Sequence, residues 1–309
     1  MVASPGSRAS TIRIFRRVME VVLAVLTVGG VAYVALLVVV FAVQGRLIYF
    51  PGIGREIVLT PKDAGLDYES LWLTTEDGVR VEAWYVPAPA ARGTALLAHG
   101  NAGNISHRVD YAVMFHRLGY SLLLFEYRGY GRSEGSPSEE GTYADARAAW
   151  RHLVAERGIP PGRIVLVGES LGGAVVARLA ADEQPGALVL ASSFVSVPEL
   201  AADLYPWLPA RWLARYRYDT LEAFGRVSCP VLIAHSRQDD IVPFRHAEQL
   251  YAAVKGPKAF VELAGGHNDG FLFVREEWRE ALGRFLEEHL SSGVDKGSSE
   301  DRALRAKRP

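Results

Sequence analysis

Apolar positions along this chain fall into three textures. The first is a single unbroken run, Val21–Val43, without one charged residue. As a helix it would extend about 34 Å, enough to cross the hydrocarbon core of a bilayer. The second texture begins near residue 71 and consists of short apolar runs separated by turn residues. Leu71–Thr75 and Val79–Val86 flank Glu76-Asp77-Gly78 and predict a hairpin at an antiparallel sheet edge. Thereafter short runs bounded by Gly, Pro or Asn alternate with longer amphipathic stretches. The strands are predicted at Ala95–Ala98, Ser121–Phe125, Ile164–Val167, Ala187–Leu190, Pro230–Ala234 and Ala259–Leu263. Helices are predicted at Ile105–Leu118, Tyr143–Glu156, Ala174–Ala180 and Arg275–Leu290. Such alternation implies a mostly parallel sheet covered on both faces. The third texture, residues 291–309, is rich in Gly, Ser, Lys, Arg and Glu, and is expected to be disordered.

Chemistry is concentrated where the predicted strands end. Gly168-Glu169-Ser170-Leu171-Gly172 stands between the strand Ile164–Val167 and the helix that follows. A serine between glycines at a strand-to-helix turn has the form of a nucleophile elbow: the turn strains Ser170, and Gly168 and Gly172 remove clashes as the helix folds back. A serine hydroxyl needs a base, and the base needs an acid to hold its tautomer. Past the strand Pro230–Ala234 comes Asp239-Asp240, and past Ala259–Leu263 comes Gly265-Gly266-His267. Asp239 or Asp240 and His267 therefore lie at the sheet edge where open parallel sheets place their sites. After Ala95–Ala98 comes His99-Gly100-Asn101-Ala102-Gly103-Asn104, whose small residues let a backbone N–H approach a substrate oxygen. The candidate oxyanion donors are the N–H groups of Asn101 and Leu171, with Gly100 leaving room beside them. His99 is expected to order this loop, since His267 fills the role of base.

These segments resemble the α/β-hydrolase superfamily, and within it membrane-anchored single-domain serine hydrolases of the serine aminopeptidase-like and protein-depalmitoylating branch. The resemblance runs from about Arg46 to Leu290. Besides the elbow it rests on His99–Asn104, on Tyr127-Arg-Gly-Tyr-Gly-Arg-Ser-Glu-Gly135, on Asp239-Asp-Ile-Val-Pro243 and on Gly265-Gly-His-Asn-Asp269. It implies an α/β-hydrolase fold with a mostly parallel eight-stranded sheet, a short lid insertion and an N-terminal transmembrane helix. It also implies Ser170 as nucleophile, His267 as base and Asp239, rather than Asp240, as acid. Two departures concern loops: Glu126 stands where members often have Asp, and Ser236 where they often have Gly.

Composition narrows the class. With 309 residues and a formal net charge of -1, the chain has material for one sizeable core and no electrostatic case for nucleic acid. The single Cys229 excludes an internal disulfide and is expected to be buried. Arg8, Arg13, Arg16 and Arg17 precede the apolar run with no acidic residue among them, which places the N-terminus in the cytoplasm and the hydrolase domain on the extracytoplasmic side. The run exceeds the apolar region of a cleaved signal peptide and lacks a small-x-small site, so an uncleaved single-pass anchor is expected. The expected organisation is a basic tail over 1–17, an anchor over 18–44, a hydrolase domain over 45–290 and the tail 291–309. Between the strands ending at Leu190 and starting at Pro230, an excursion at about 195–218 holds Tyr205, Trp207, Trp212, Tyr216 and Tyr218. It is expected either to roof the serine and favour an acyl chain, or to fasten itself to the domain by these rings. No metal or organic cofactor is required. The expected substrate is a carboxylic ester or thioester, with an aminopeptidase-like amide hydrolase, or a non-catalytic binding protein on the same scaffold, as alternatives.

Overall fold

The computed structural model describes residues 5–269 and 271–290. The expected disordered tail over 291–309 lies outside the described residues. The chain divides into two units, Met1–Gln44 and Gly45–Pro309. A helix α1 covers Pro5–Ile48. Proline at its start costs no hydrogen bond, because a first-turn N–H has no partner within a helix. The basic stretch expected as a tail is thus helical from Pro5 onward. Over Arg13–Ile48 the helix contains an 18-residue window with a mean hydropathy of 2.6 and is long and apolar enough to cross a membrane, a description that a membrane anchor and a signal sequence both meet.

The second unit is built on one eight-stranded sheet. Its strands are β1 (Glu69–Thr74), β2 (Arg80–Val86), β3 (Thr94–Ala98), β4 (Ser121–Phe125), β5 (Ile164–Glu169), β6 (Ala187–Ala191), β7 (Val231–Ser236) and β8 (Lys258–Leu263). They lie in the order β1-β2-β4-β3-β5-β6-β7-β8. The predicted hairpin is present: β2 runs antiparallel to both β1 and β4, and the pairs from β4 through β8 are parallel, so the sheet is mixed.

The central strands are apolar on both faces because helices cover both. Leu96, Leu123, Leu166, Leu188 and Ile233 point into one core. Their alternate neighbours Leu97, Leu124, Val167, Val189 and Leu232 point into the other. The first core is shared with α3 (Glu139–Arg151), α4 (Leu171–Asp182), α7 (Thr220–Phe224) and α8 (Arg245–Ala253). The second is closed by α2 (Val109–Arg117) and α9 (Glu276–Leu290). Helix starts follow capping chemistry: Ser138 accepts the N–H of Gly141 and so begins α3 at Glu139, ahead of the apolar periodicity that suggested Tyr143. Between β6 and β7 the excursion forms α5 (Val197–Leu204), α6 (Ala210–Leu213) and α7.

Candidate active site

The elbow is fixed by what glycine permits. Ser170 follows β5 with φ 51° and ψ -114°, a region that non-glycine residues rarely occupy. A Cβ on Gly168 would fall 2.4 Å from the carbonyl oxygen of Gly172, and one on Gly172 would fall 2.1 Å from that of Ala98. The strained serine persists because the turn is held on both sides: its N–H donates to Ala191 O at 2.9 Å, and its carbonyl accepts from Ser193 Oγ at 3.0 Å.

Three loops at the same sheet edge converge on it. The Ser170 hydroxyl lies 3.0 Å from His267 Nε2. On the other side of the ring, His267 Nδ1 is 2.8 Å from Asp239 Oδ2 and 3.0 Å from Oδ1. Asp239 also accepts the N–H groups of Val242 at 2.7 Å and Ile241 at 3.0 Å. Burial pushes the Asp239 carboxyl upward, but the bond to His267 and these two N–H groups outweigh it, and its pKa lies below the ordinary value. Asp240 turns the other way and accepts the backbone N–H of His267 at 2.9 Å. The adjacent acids thus have separate partners, the ring and the backbone of one histidine.

The loop after β3 lies against the elbow. A Cβ on Gly100 would sit 3.7 Å from that of Ser170. His99 faces away from the serine: its Nε2 is 2.7 Å from Glu126 Oε1 and its Nδ1 is 2.7 Å from Gly100 O, while Glu126 Oε2 accepts from Ile105 N. Glu126 therefore holds both ends of this loop. Leu171 follows Ser170 directly as the first residue of α4, and Asn101 follows Gly100 in the loop after β3. A helix's opening N–H groups lack partners within the helix and suit a developing oxyanion.

The cleft at Ser170 is lined by Gly100, Arg108, Glu169, Ala191, Ser192, His267 and Phe271, with no residue from 195–218. The rings of the excursion are instead placed by their own contacts. Tyr218 is buried, with its hydroxyl 2.7 Å from that of Tyr49 and 2.9 Å from Thr142 Oγ1, and the Tyr216 ring meets Tyr49 edge to face. A buried phenol needs a partner, and these rings find theirs away from the cleft, whereas Trp212 is 92% exposed.

Several residues of the site were not anticipated. Arg108 lies against Glu169 at 2.5 Å, and Tyr111 donates to the same carboxylate at 2.6 Å. A cation at the start of α2 opposes the helix dipole, and that misfit was the available sequence signal that Arg108 has another partner. His235, at the end of β7, donates from Nε2 to Val242 O at 2.9 Å, and its Nδ1 is buried without a partner. No sequence pattern pointed to it. Among the described residues no group of three His, Cys, Asp or Glu could hold a metal ion.

Comparison with known proteins agrees with this architecture. Residues 95–229 match the family described as alpha/beta hydrolase fold. The alpha/beta hydrolase domain-containing protein WAV2 of Arabidopsis thaliana is 38% identical over 288 residues, covering 84% of this chain and 92% of the relative. An uncharacterized protein of Mycobacterium tuberculosis is 44% identical over 267 residues, covering 84% and 94%. Protein bem46 of Schizosaccharomyces pombe is 33% identical over 235 residues, covering 71% and 79%. Among solved structures, an esterase of Pyrococcus furiosus superposes with a TM-score of 0.62 at 20% identity, covering 77% of this chain and 98% of its own. The chain belongs to the α/β-hydrolase superfamily.

Proposed function

We propose that this protein is a membrane-anchored serine hydrolase that cleaves carboxylic ester or thioester bonds through an acyl-enzyme. The observation that carries the proposal is the unbroken hydrogen-bonded line from Ser170 Oγ through His267 to Asp239, at 3.0 Å and 2.8 Å. Ser170 attacks the carbonyl carbon while His267 Nε2 takes its proton. Asp239 holds Nδ1 protonated and stabilises the imidazolium that forms. The N–H groups of Leu171 and Asn101 receive the charge on the carbonyl oxygen. His267 then returns its proton to the leaving alcohol or thiol, and a water activated by the same histidine releases the acid and frees Ser170.

An ester or thioester is favoured over the amide of a free amino terminus. Recognition of an ammonium group calls for an uncommitted carboxylate, and three acids that could offer one, Glu126, Glu169 and Asp203, are engaged elsewhere. Glu126 holds His99, Glu169 holds Arg108 and Tyr111, and Asp203 holds Arg245 and His246. Anchoring rests on the length and hydropathy of α1, and the cationic residues before it favour a cytoplasmic N-terminus.

The test is turnover of matched p-nitrophenyl esters, acyl thioesters and aminoacyl amides by the detergent-solubilised full chain, with Ser170→Ala in parallel. Ester or thioester turnover that Ser170→Ala abolishes is expected. Turnover confined to amides would replace the proposal with the peptidase alternative, and a folded protein inactive on all three would favour a binding protein.

A further inference from the structure

The segment that leads out of α1 is sewn along the loop after β3. Asn101 Nδ2 donates to Ile48 O at 3.0 Å. That carbonyl belongs to the last turn of the helix, where no intrahelical N–H is available, so the Asn101 side chain supplies a C-terminal cap. Phe50 N–H is shared between Asn101 O at 3.3 Å and the Tyr130 hydroxyl at 3.0 Å, and that hydroxyl donates in turn to Asn101 O at 2.9 Å. Phe50 also forms an isolated parallel bridge with Ala102. Farther along, Asn104 Nδ2 donates to Gly54 O at 2.6 Å and Glu56 O at 2.9 Å, and Val58 N–H donates to Ser106 Oγ at 3.1 Å. The start of the segment is pinned independently by Tyr49, which is buried against Tyr216 and Tyr218.

Both asparagines of the His99–Asn104 motif therefore spend their side-chain amides on the backbone of residues 48–56. At Asn101 the side-chain amide and the carbonyl are taken up by Ile48, Phe50 and Tyr130, and the backbone N–H takes no part in these contacts. Rotating the Asn101 peptide to withdraw that N–H would break the bonds made by its neighbours. We propose that Ile48–Val58 is a positioning strap that orders the oxyanion loop, so that catalytic competence depends on the segment joining the apolar helix to the hydrolase domain. The proposal rests on the serine-hydrolase assignment above for its effect on rate, and on the contacts alone for its effect on order.

Two full-length variants test it: Asn101→Ala, which keeps the backbone N–H but loses the bond to Ile48, and Tyr130→Phe, which removes only the hydroxyl bridging Phe50 and Asn101. Removing an oxyanion donor outright costs about 10²–10³ in kcat, so a donor loosened rather than lost should cost about tenfold, with KM within about twofold. Affinity for a boronic acid that forms a tetrahedral adduct on Ser170 should fall by the same factor, and the melting temperature should move little. Hydrogen exchange of residues 100–106 is the arm independent of turnover, and should accelerate in both variants. Unchanged exchange overturns the strap, whatever the reaction. Accelerated exchange with unchanged kcat and boronate affinity overturns its catalytic role. Accelerated exchange in both variants, when the wild-type protein itself shows no Ser170-dependent turnover, would count against the hydrolase assignment and leave the ordering role standing.

Discussion

Asp240 binds the backbone N–H of His267 at 2.9 Å, while the residue before it, Asp239, binds the ring of the same histidine. The two carboxylates differ in consequence. Replacing Asp239 by Asn should lower kcat by about three to four orders of magnitude, because an amide no longer fixes the productive tautomer. Asp240→Asn keeps an acceptor for the His267 N–H and should cost about tenfold or less. Steady-state kinetics on one ester settles the pair, and equal losses would contradict the division of labour.

The elbow glycines have no room for a methyl group. In Gly172→Ala the new carbon would meet the backbone oxygens of Ala98 at 2.1 Å and His99 at 2.6 Å, and backbone cannot swing aside as a long side chain can. A loss of about 3 kcal/mol is expected from urea titration. Gly162→Ala, with open space at the same position, is the control and should be near neutral.

Arg108 and Glu169 form a buried pair beside the cleft, with side chains 13% and 5% exposed. Arg108→Met would leave a buried carboxylate with only Tyr111 as partner and should cost about 3–5 kcal/mol. The double variant Arg108→Met, Glu169→Leu should recover much of that loss. Failure to recover would mean that the pair contributes more than mutual neutralisation.

Acid should destabilise the fold through His235. Burial pushes its pKa below the ordinary 6.5 against the opposing pull of Val242 O and Asp239. Below about pH 6.5 the unfolded chain takes up a proton that the folded chain resists, so the unfolded state binds more protons and stability falls as pH drops. His246, also lowered by burial, adds in the same direction. Urea midpoints should decline from about pH 7 to about pH 5, and His235→Gln should flatten that decline. A slope unaltered by the substitution would assign the effect elsewhere.

Cys229 should be silent in the native state. Burial pushes its thiol up to about 12, leaving little thiolate at neutral pH. A thiol reagent should react with it only after denaturation.

Much of the sheet was legible because its central strands are buried on both faces and read as continuous Leu, Val and Ala runs. The elbow was legible because a strained serine demands glycine where Gly168 and Gly172 stand. The residues alone left Asp239 and Asp240 open, as chemically identical neighbours in one loop; the family resemblance pointed to Asp239, which meets the His267 ring while Asp240 meets its backbone. The strap was invisible for a different reason: its partners are backbone groups, which carry no residue signature, joined to Asn101 and Asn104 across about fifty positions of chain. Aromatic content alone did not say which way the excursion faces. Tyr218 buries its hydroxyl on Tyr49 and Thr142, and only the fold brings those partners within reach.

The central claim is that Ser170 is a nucleophile activated by His267. Incubating the purified full-length protein with a fluorophosphonate and mapping the adduct by mass spectrometry tests it without assuming any substrate. A single adduct on Ser170, absent in Ser170→Ala and strongly slowed in His267→Ala, is expected. An unmodified Ser170 in a folded wild-type protein, or labelling that survives both substitutions, would contradict the account.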